Sequence, residues 1–124
     1  VGGLLYYALV RIPLGTALGE ELLFRSAALG AGLRLGSSRL AIGLSSLLFG
    51  LWHILPILSV RAGNAAMSPR STLLIVVGGV AATGLAGAGF AWLRLHTGHV
   101  ASTLVFHAVM NGSAIVAAYL AINA

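Results

Sequence analysis

The residues best able to do chemistry in this chain are two adjacent glutamates, Glu20 and Glu21. They are the only acidic residues among 124, and they lie inside an apolar segment. On insertion scales, a charged side chain near the centre of a bilayer costs about 2.5–3.5 kcal/mol. Carboxylates placed at that cost need partners, so we expect basic or hydrogen-bonding groups from elsewhere in the chain to lie against them.

Groups of that kind recur at a helical spacing. Side chains four residues apart share a face of a helix, and three such pairs are Glu21 with Arg25, Phe49 with His53, and His107 with Asn111. Arg25 can therefore neutralise Glu21 on the same helix. Glu20 points about 100° away from Glu21 and has no charged residue one turn before or after it. We expect Glu20 to find its partner on another helix.

The elements that must position these groups are membrane helices. Hydrophobic residues make up 59% of the chain and charged residues 7%. About four or five apolar runs approach or exceed the roughly 20 residues that cross a bilayer. The runs are too long and too uniformly apolar for the alternating strands of a membrane barrel. The predicted fold is all-α, a polytopic transmembrane helical bundle.

The predicted helices cover residues 1–10, 13–34, 40–55, 71–95 and 100–122. Arg11 and Pro13 separate the first two, and Pro56 ends the third because proline disfavours helix at the residue before it. Residues 58–70, which include Asn64, are the longest polar stretch and are predicted to form a loop. Because the chain begins inside an apolar run, we expect residues 1–124 to be a single domain and a fragment of a longer membrane protein.

Small residues recur at every fourth position of the fourth predicted helix. The two series are Gly79, Thr83 and Gly87, and Gly78, Ala82 and Ala86. Small residues at this spacing let helix backbones approach closely in lipid. A phosphate-binding loop is disfavoured, because the run lacks the Lys-Ser/Thr ending and no strand signal precedes it. We interpret the stripe as a packing surface.

Composition also excludes several classes of function. All seven basic residues other than histidine are arginines, and most stand singly at the breaks between apolar runs. That distribution is typical of helix ends beside lipid headgroups, whereas a nucleic-acid surface would cluster them on one face. The predicted partner is thus a lipid bilayer and not nucleic acid. The absence of Cys excludes disulfides, thiolate catalysis and Cys-ligated metals.

The polar set favours activation of a water molecule. Antiparallel packing would bring Glu20 and His53 to the same depth, with His107 and Asn111 at a reachable level. A carboxylate and an imidazole can deprotonate water, while a second imidazole and an amide can donate to the oxyanion of an attacked carbonyl. Glu20, His53 and His107 could also bind a divalent metal such as zinc, although the His-Glu-x-x-His motif is absent.

Structural and non-catalytic interpretations stay open beside this one. Charged residues inside a membrane often pair with each other, so Glu21 and Arg25 could form a purely structural ion pair. His107 or Asn111, taken singly, could form a hydrogen bond that holds two helices together. Buried Glu and His chains also relay protons. Convergence around one cavity would favour hydrolysis, and a line of groups across the membrane would favour a relay.

The ordered motifs resemble those of the CAAX protease and bacteriocin-processing family, also called CPBP or Abi. The matching motifs are Glu-Glu-x-x-x-Arg at residues 20–25, Phe-x-x-x-His at residues 49–53, and His-x-x-x-Asn at residues 107–111. The resemblance covers nearly the whole chain from Pro13 onward. It implies an intramembrane endopeptidase with a helical-bundle fold.

The resemblance also implies roles for the motif residues. Glu20 and His53 would activate the water, His107 and Asn111 would stabilise the oxyanion, and Glu21 and Arg25 would support the site. Members of the family often carry metalloprotease labels, so a metal and a metal-free mechanism both stay open.

The implied partner is a peptide or protein substrate, membrane-anchored or prenylated, because eukaryotic relatives trim prenylated CAAX tails. Many bacterial relatives are linked to bacteriocin maturation or immunity. The resemblance thus implies a multi-pass protein of the bacterial cell membrane. The alternative is a non-catalytic membrane protein, such as a proton relay or a bacteriocin-immunity factor that binds a partner. Immunity by binding would not require Glu20 to ionise.

Overall fold

The computed structural model describes residues 2–62 and 68–124, and these residues form helices and no strand. We number the helices α1 (residues 2–35), α2 (residues 38–62), α3 (Pro69–Thr97) and α4 (Val100–Asn123). Two-residue connections join α1 to α2 and α3 to α4, so these neighbours run antiparallel. The predicted all-α bundle is confirmed.

The first helix is continuous but changes its hydrogen-bonding pattern along its length. Its segments are α-helical Gly2–Tyr6, π-helical Tyr7–Ala17, α-helical Leu18–Glu21, π-helical Leu22–Ala28 and α-helical Leu29–Leu35. The predicted break at Arg11 and Pro13 is therefore wrong. Pro13 lies inside the first π-helical segment, where its carbonyl accepts the N–H of Leu18, five residues later. Both glutamates lie in the short α-helical segment between the two π-helical ones, and π-helical turns are frequent at functional sites.

The second helix is interrupted at His53. Its two α-helical parts are Ser38–Trp52 and Ile54–Ala62. Pro56 lies in the first turn of the second part, where a proline costs the helix least because that turn leaves N–H groups unused. The predicted end near Leu55 is therefore wrong, and residues 58–62, predicted as loop, are helical.

The third helix begins earlier than predicted. Ser68 caps it by accepting the N–H of Ser71 at 3.1 Å, and Pro69 occupies the first turn. Asn64, which also belongs to the predicted loop at residues 58–70, lies outside the described residues. Gly98 ends the helix with a left-handed φ of 76°, which glycine adopts without strain. The fourth helix agrees with its predicted bounds to within a residue.

The most extensive contact of the bundle is between α2 and α3. A Cβ added to Gly50 would lie 2.7 Å from the carbonyl oxygen of Val80. One added to Gly87 would lie 2.9 Å from Cδ1 of Phe49. Only glycine permits both approaches, so the predicted packing role is confirmed for Gly87. The first π-helical segment of α1 packs against α4.

Three helical stretches among the described residues are long and apolar enough to cross a membrane. They are Ser38–Val60, Pro69–Thr97 and Val100–Asn123. This is fewer than the four or five apolar runs suggested, and α1, which contains both glutamates, is not one of them. Large apolar side chains face outward from all three stretches, as Leu55, Leu85 and Val105 do. An outer surface of this kind fits burial in lipid.

Candidate active site

Two glutamates of α1 meet one histidine of α4 in the bundle interior. Nδ1 of His107 lies 2.9 Å from Oε1 of Glu21, and its Nε2 lies 3.6 Å from Oε2 of Glu20. Nε of Arg25 lies 3.4 Å from Oε2 of Glu21, one turn along the same helix. Glu21 is fully buried, and the side chain of Glu20 is 12% exposed. The structure thus gives Glu21 the predicted partner on its own helix and gives Glu20 a partner on another helix.

The hydrogen bond to Glu21 decides which nitrogen of His107 carries a proton. A carboxylate only accepts, so Nδ1 donates, and Nε2 faces Glu20. With a neutral imidazole, two carboxylates against the single guanidinium of Arg25 would leave one negative charge uncompensated. Burial penalises such a charge. The cluster is therefore neutral only with one further proton, and Nε2 of His107 and Oε2 of Glu20, which face each other 3.6 Å apart, are the two atoms that could hold it.

Aromatic rings surround the guanidinium of Arg25. None of its three nitrogens has a hydrogen-bond partner within the described part of the chain. Its Cζ lies 4.2 Å from the ring centroid of Phe49, 5.0 Å from that of Phe90 and 5.9 Å from that of Phe24. Cations are attracted to the faces of aromatic rings at these distances. The rings therefore hold the charge that offsets Glu21.

The interruption of α2 fixes the tautomer of His53. The N–H of His53 donates to the carbonyl of Gly50 at 3.1 Å, which frees the carbonyl of Phe49. The imidazole Nδ1 donates to that carbonyl at 2.7 Å. In the neutral ring, Nε2 is then the acceptor nitrogen. His53 is half-buried.

The charged cluster does not include every predicted site residue. His53 forms no ion pair with Glu20 in residues 2–62 and 68–124. The Phe49 ring contacts both imidazoles, with its centroid 4.6 Å from that of His53 and 5.9 Å from that of His107. Asn111 is half-buried one turn beyond His107, and its amide has no hydrogen bond to any described residue.

A metal-binding arrangement of Glu20, His53 and His107 is not assembled. Within the described residues, no three His, Asp or Glu side chains are close enough to hold one ion. The positions of these side chains therefore do not fit a bound metal. The chemistry proposed below passes through protein side chains.

The charged groups of Glu20, Glu21, Arg25 and His107 form one compact cluster between α1 and α4, and His53 and Asn111 lie outside it. Three grooves of 560, 390 and 410 Å³ open on the molecule with apolar linings, and the third is lined in part by Phe90. Glu20, His53, His107 and Asn111 line none of these three. These three grooves are not the shared cavity that hydrolysis was expected to require.

Two residues at the cluster were missed by sequence reasoning. Phe90 of α3 stacks on the imidazole of His107, with ring centroids 5.0 Å apart and planes 24° apart. The hydroxyl of Ser45 in α2 donates at 2.8 Å to the carbonyl of Phe24, next to Arg25. The only sequence signal for Phe90 is its position three residues after Gly87, on the face that meets α2.

Comparison with known families supports the pattern of motifs. The model of the type II CAAX prenyl endopeptidase Rce1-like family matches residues 2–113. Comparisons with curated proteins and with solved structures gave no significant match. The match spans all three motifs and nearly the whole chain, and it agrees with the membrane-spanning helices. The chain belongs to the Rce1-like family of type II CAAX prenyl endopeptidases, and it is an integral membrane protein.

Proposed function

We propose that this protein hydrolyses a peptide bond within the membrane by means of a water molecule activated by Glu20 and His53. The family supports a peptidase acting on a peptide or protein. The observation that carries the catalytic assignment is the meeting of Glu20 with His107. Oε2 of Glu20 is buried at 3.6 Å from the imidazole and has no hydrogen-bond partner among the described residues. It is therefore free to accept a proton.

Glu20 acts as the general base in this proposal. Its Oε2 takes a proton from water, and Nε2 of His53 accepts the water's second hydrogen bond. The hydroxide formed adds to the carbonyl carbon of the substrate. The proton on Glu20 then passes to the leaving nitrogen as the C–N bond breaks, so that one water is consumed for each bond hydrolysed.

His107 and Asn111 stabilise the negative oxygen of the tetrahedral intermediate. With its proton on Nε2, His107 is a donor already inside the cluster, and the free amide of Asn111 lies one turn away. Donors held in advance where charge develops contribute strongly to catalysis. Glu21 accepts the Nδ1–H of His107, as the carboxylate of a catalytic triad does, and Arg25 forms an ion pair with Glu21.

The proposed substrate is a membrane-anchored protein with a prenylated C-terminal segment, and the proposed location is the bacterial cell membrane. The family description supports the prenylated substrate, and the apolar helices support a location in a membrane. A lipid-modified peptide reaches a membrane-embedded site by moving within the bilayer.

Cleavage by the Glu20→Gln variant tests the assignment. Purified protein in lipid vesicles is given a fluorogenic peptide that ends in a farnesylated CAAX sequence, and the same peptide without the lipid. Glu20→Gln keeps the size but removes the base, so kcat should fall by about 10²–10⁴-fold. His53→Ala and His107→Ala should lose cleavage too. His99→Gln, at an exposed position before α4, is the matched control and should cleave normally.

The same assay separates the proposed function from the alternatives. A proton relay or a partner-binding immunity factor predicts no cleavage by wild-type protein. Equal cleavage by wild type and by folded Glu20→Gln contradicts Glu20 as the base. Repeating the assay with a chelator measures whether a metal takes part. Preference for the farnesylated peptide tests the substrate class separately from the chemistry.

A further inference from the structure

We infer that Phe90 is a positioning residue that fixes the plane of the His107 imidazole and seats the Arg25 guanidinium. Its ring lies nearly parallel to that of His107, with centroids 5.0 Å apart. Cζ of Arg25 lies 5.0 Å from the same ring centroid. Phe90 is 4% exposed. A single ring of α3 thus touches a cation of α1 and an imidazole of α4, and it lies outside all three motifs.

The imidazole needs such a constraint because its two nitrogens face different carboxylates. Nδ1 is bound to Glu21 at 2.9 Å, and Nε2 faces Glu20 at 3.6 Å. The side-chain torsion that turns an imidazole ring has broad minima. One hydrogen bond acts as a pivot and leaves the ring free to swing. A parallel ring against one face blocks that swing and keeps Nε2 directed at Glu20.

Phe90 itself contacts two other aromatic rings. Phe49 contacts it with centroids 6.3 Å apart at 77°, and Phe106 with centroids 5.9 Å apart at 77°. One turn earlier, Gly87 brings α3 against Phe49 so closely that an added Cβ would lie 2.9 Å from that ring. The close contact of α3 with α2 therefore sets the position from which Phe90 reaches the cluster. The third helix, which supplies no motif, acts on the site through this ring.

The inference rests on the proposed function for its catalytic consequence, but it can also be tested without catalysis. The probe is the imidazole ¹⁵N–¹H spectrum of protein labelled at histidine, with the His107 signal assigned by its loss in His107→Gln. Phe90→Leu removes the flat ring and keeps an apolar side chain. Phe90→Tyr keeps the ring. Phe106→Leu is the matched control, because Phe106 is exposed and touches Phe90. Among the described residues, its ring contacts neither the imidazole of His107, the next residue of α4, nor the guanidinium of Arg25.

In Phe90→Leu, we expect the sharp Nδ1–H signal of His107 to shift or broaden and kcat to fall by about 10–100-fold with KM nearly unchanged, as expected for a misplaced catalytic group. Phe90→Tyr should retain both properties, and Phe106→Leu, which keeps the Phe90 ring and its contact with Phe49, should change both by much less than Phe90→Leu does. Should Phe90→Leu fail to fold, Phe90→Met is scored in the same way.

An unchanged His107 signal in folded Phe90→Leu overturns this inference and leaves the proposed function intact. So does an equal loss of kcat in Phe106→Leu, since that would reflect packing in general. Equal cleavage by wild type and Glu20→Gln overturns the proposed function instead, together with the catalytic consequence assigned to Phe90. The spectrum still decides whether Phe90 fixes the imidazole.

Discussion

The α1–α4 interface and the α2–α3 interface of the same bundle are built on opposite principles. Between α1 and α4, the carboxylates of Glu21 and Glu20 lie 2.9 and 3.6 Å from the imidazole of His107. Arg25 pairs with the carboxylate of Glu21 at 3.4 Å. Between α2 and α3, glycines bring backbones together, as at Gly50. Neither interface resembles the Leu-rich core of a soluble bundle. The first is specific in its chemistry, and the second is specific in its shape.

The comparison teaches how a small membrane protein can keep a charged cluster in place. Buried charges are stable only when their geometry is maintained, because losing one partner leaves the other uncompensated. Close glycine contacts supply that rigidity without using polar groups. Phe49 connects the two interfaces, since it packs against Gly87 of α3 and lies over the guanidinium of Arg25. A substitution at the charged interface should therefore change the stability of the protein by a different amount from a substitution at the glycine interface.

The largest expected effect on stability comes from breaking the charged interface at Arg25. Arg25→Leu leaves Glu21 buried without its cation, and removing one partner of a buried pair typically costs about 3–5 kcal/mol. Unfolding in mixed detergent micelles measures the loss. Arg34→Leu is the control, because Arg34 is exposed at the end of the same helix and its loss should change stability by less than about 0.5 kcal/mol. Equal losses for the two variants would mean that the ion pair contributes nothing.

A smaller effect is expected from Gly50→Ala, which attacks the shape of the other interface. The new methyl group would lie 2.7 Å from the carbonyl oxygen of Val80, so the two helices must separate. Overpacking of this kind costs about 1–3 kcal/mol. Gly43→Ala is the matched control, since Gly43 is in the same helix with no atom within 4 Å of an added Cβ. Unfolding in micelles should show a loss for Gly50→Ala alone, and a loss shared by both variants would contradict the close-contact argument.

Much of the charged cluster was predictable from sequence, but the residue that lies against Glu20 was not. The four-residue spacing predicts the contact of Glu21 with Arg25, and the lack of a cation near Glu20 predicts a partner on another helix. Sequence reasoning expected Glu20 to share one pocket with His53, His107 and Asn111, and of these three the structure places His107 against it. The glutamates lie between two π-helical segments, where successive side chains no longer follow the 100° rotation of an α-helix. That change of phase cannot be read from residue types.

The errors in helix bounds have a common cause. Pro13 and Pro56 were both expected to interrupt helices, and both lie inside helical segments. A π-helical stretch accommodates the first, and the first turn of a renewed helix accommodates the second. Local proline rules predicted a disturbance at the right places. They could not predict that the helix would continue past each proline, because packing against neighbouring helices is not visible in the local sequence.

The smallest of these losses of stability is expected at a hydrogen bond that joins α2 of one interface to α1 of the other. The hydroxyl of Ser45, fully buried in α2, donates to the carbonyl of Phe24 in the second π-helical segment of α1. Ser45→Ala removes this link and should destabilise the protein by about 1 kcal/mol, as is typical of a buried hydrogen bond.

Ser46→Ala is the matched control, because its hydroxyl bonds only within its own helix, to the carbonyl of Ile42 at 2.6 Å. Such back-bonding to the previous turn slightly disfavours helix, so its loss should be neutral or slightly stabilising. Cleavage measured on both variants sharpens the comparison further. Since Phe24 precedes Arg25, lower activity in Ser45→Ala but not in Ser46→Ala would show that α2 also helps to set the position of the charged cluster. Equal activity would restrict the influence of α2 to the Phe49 ring.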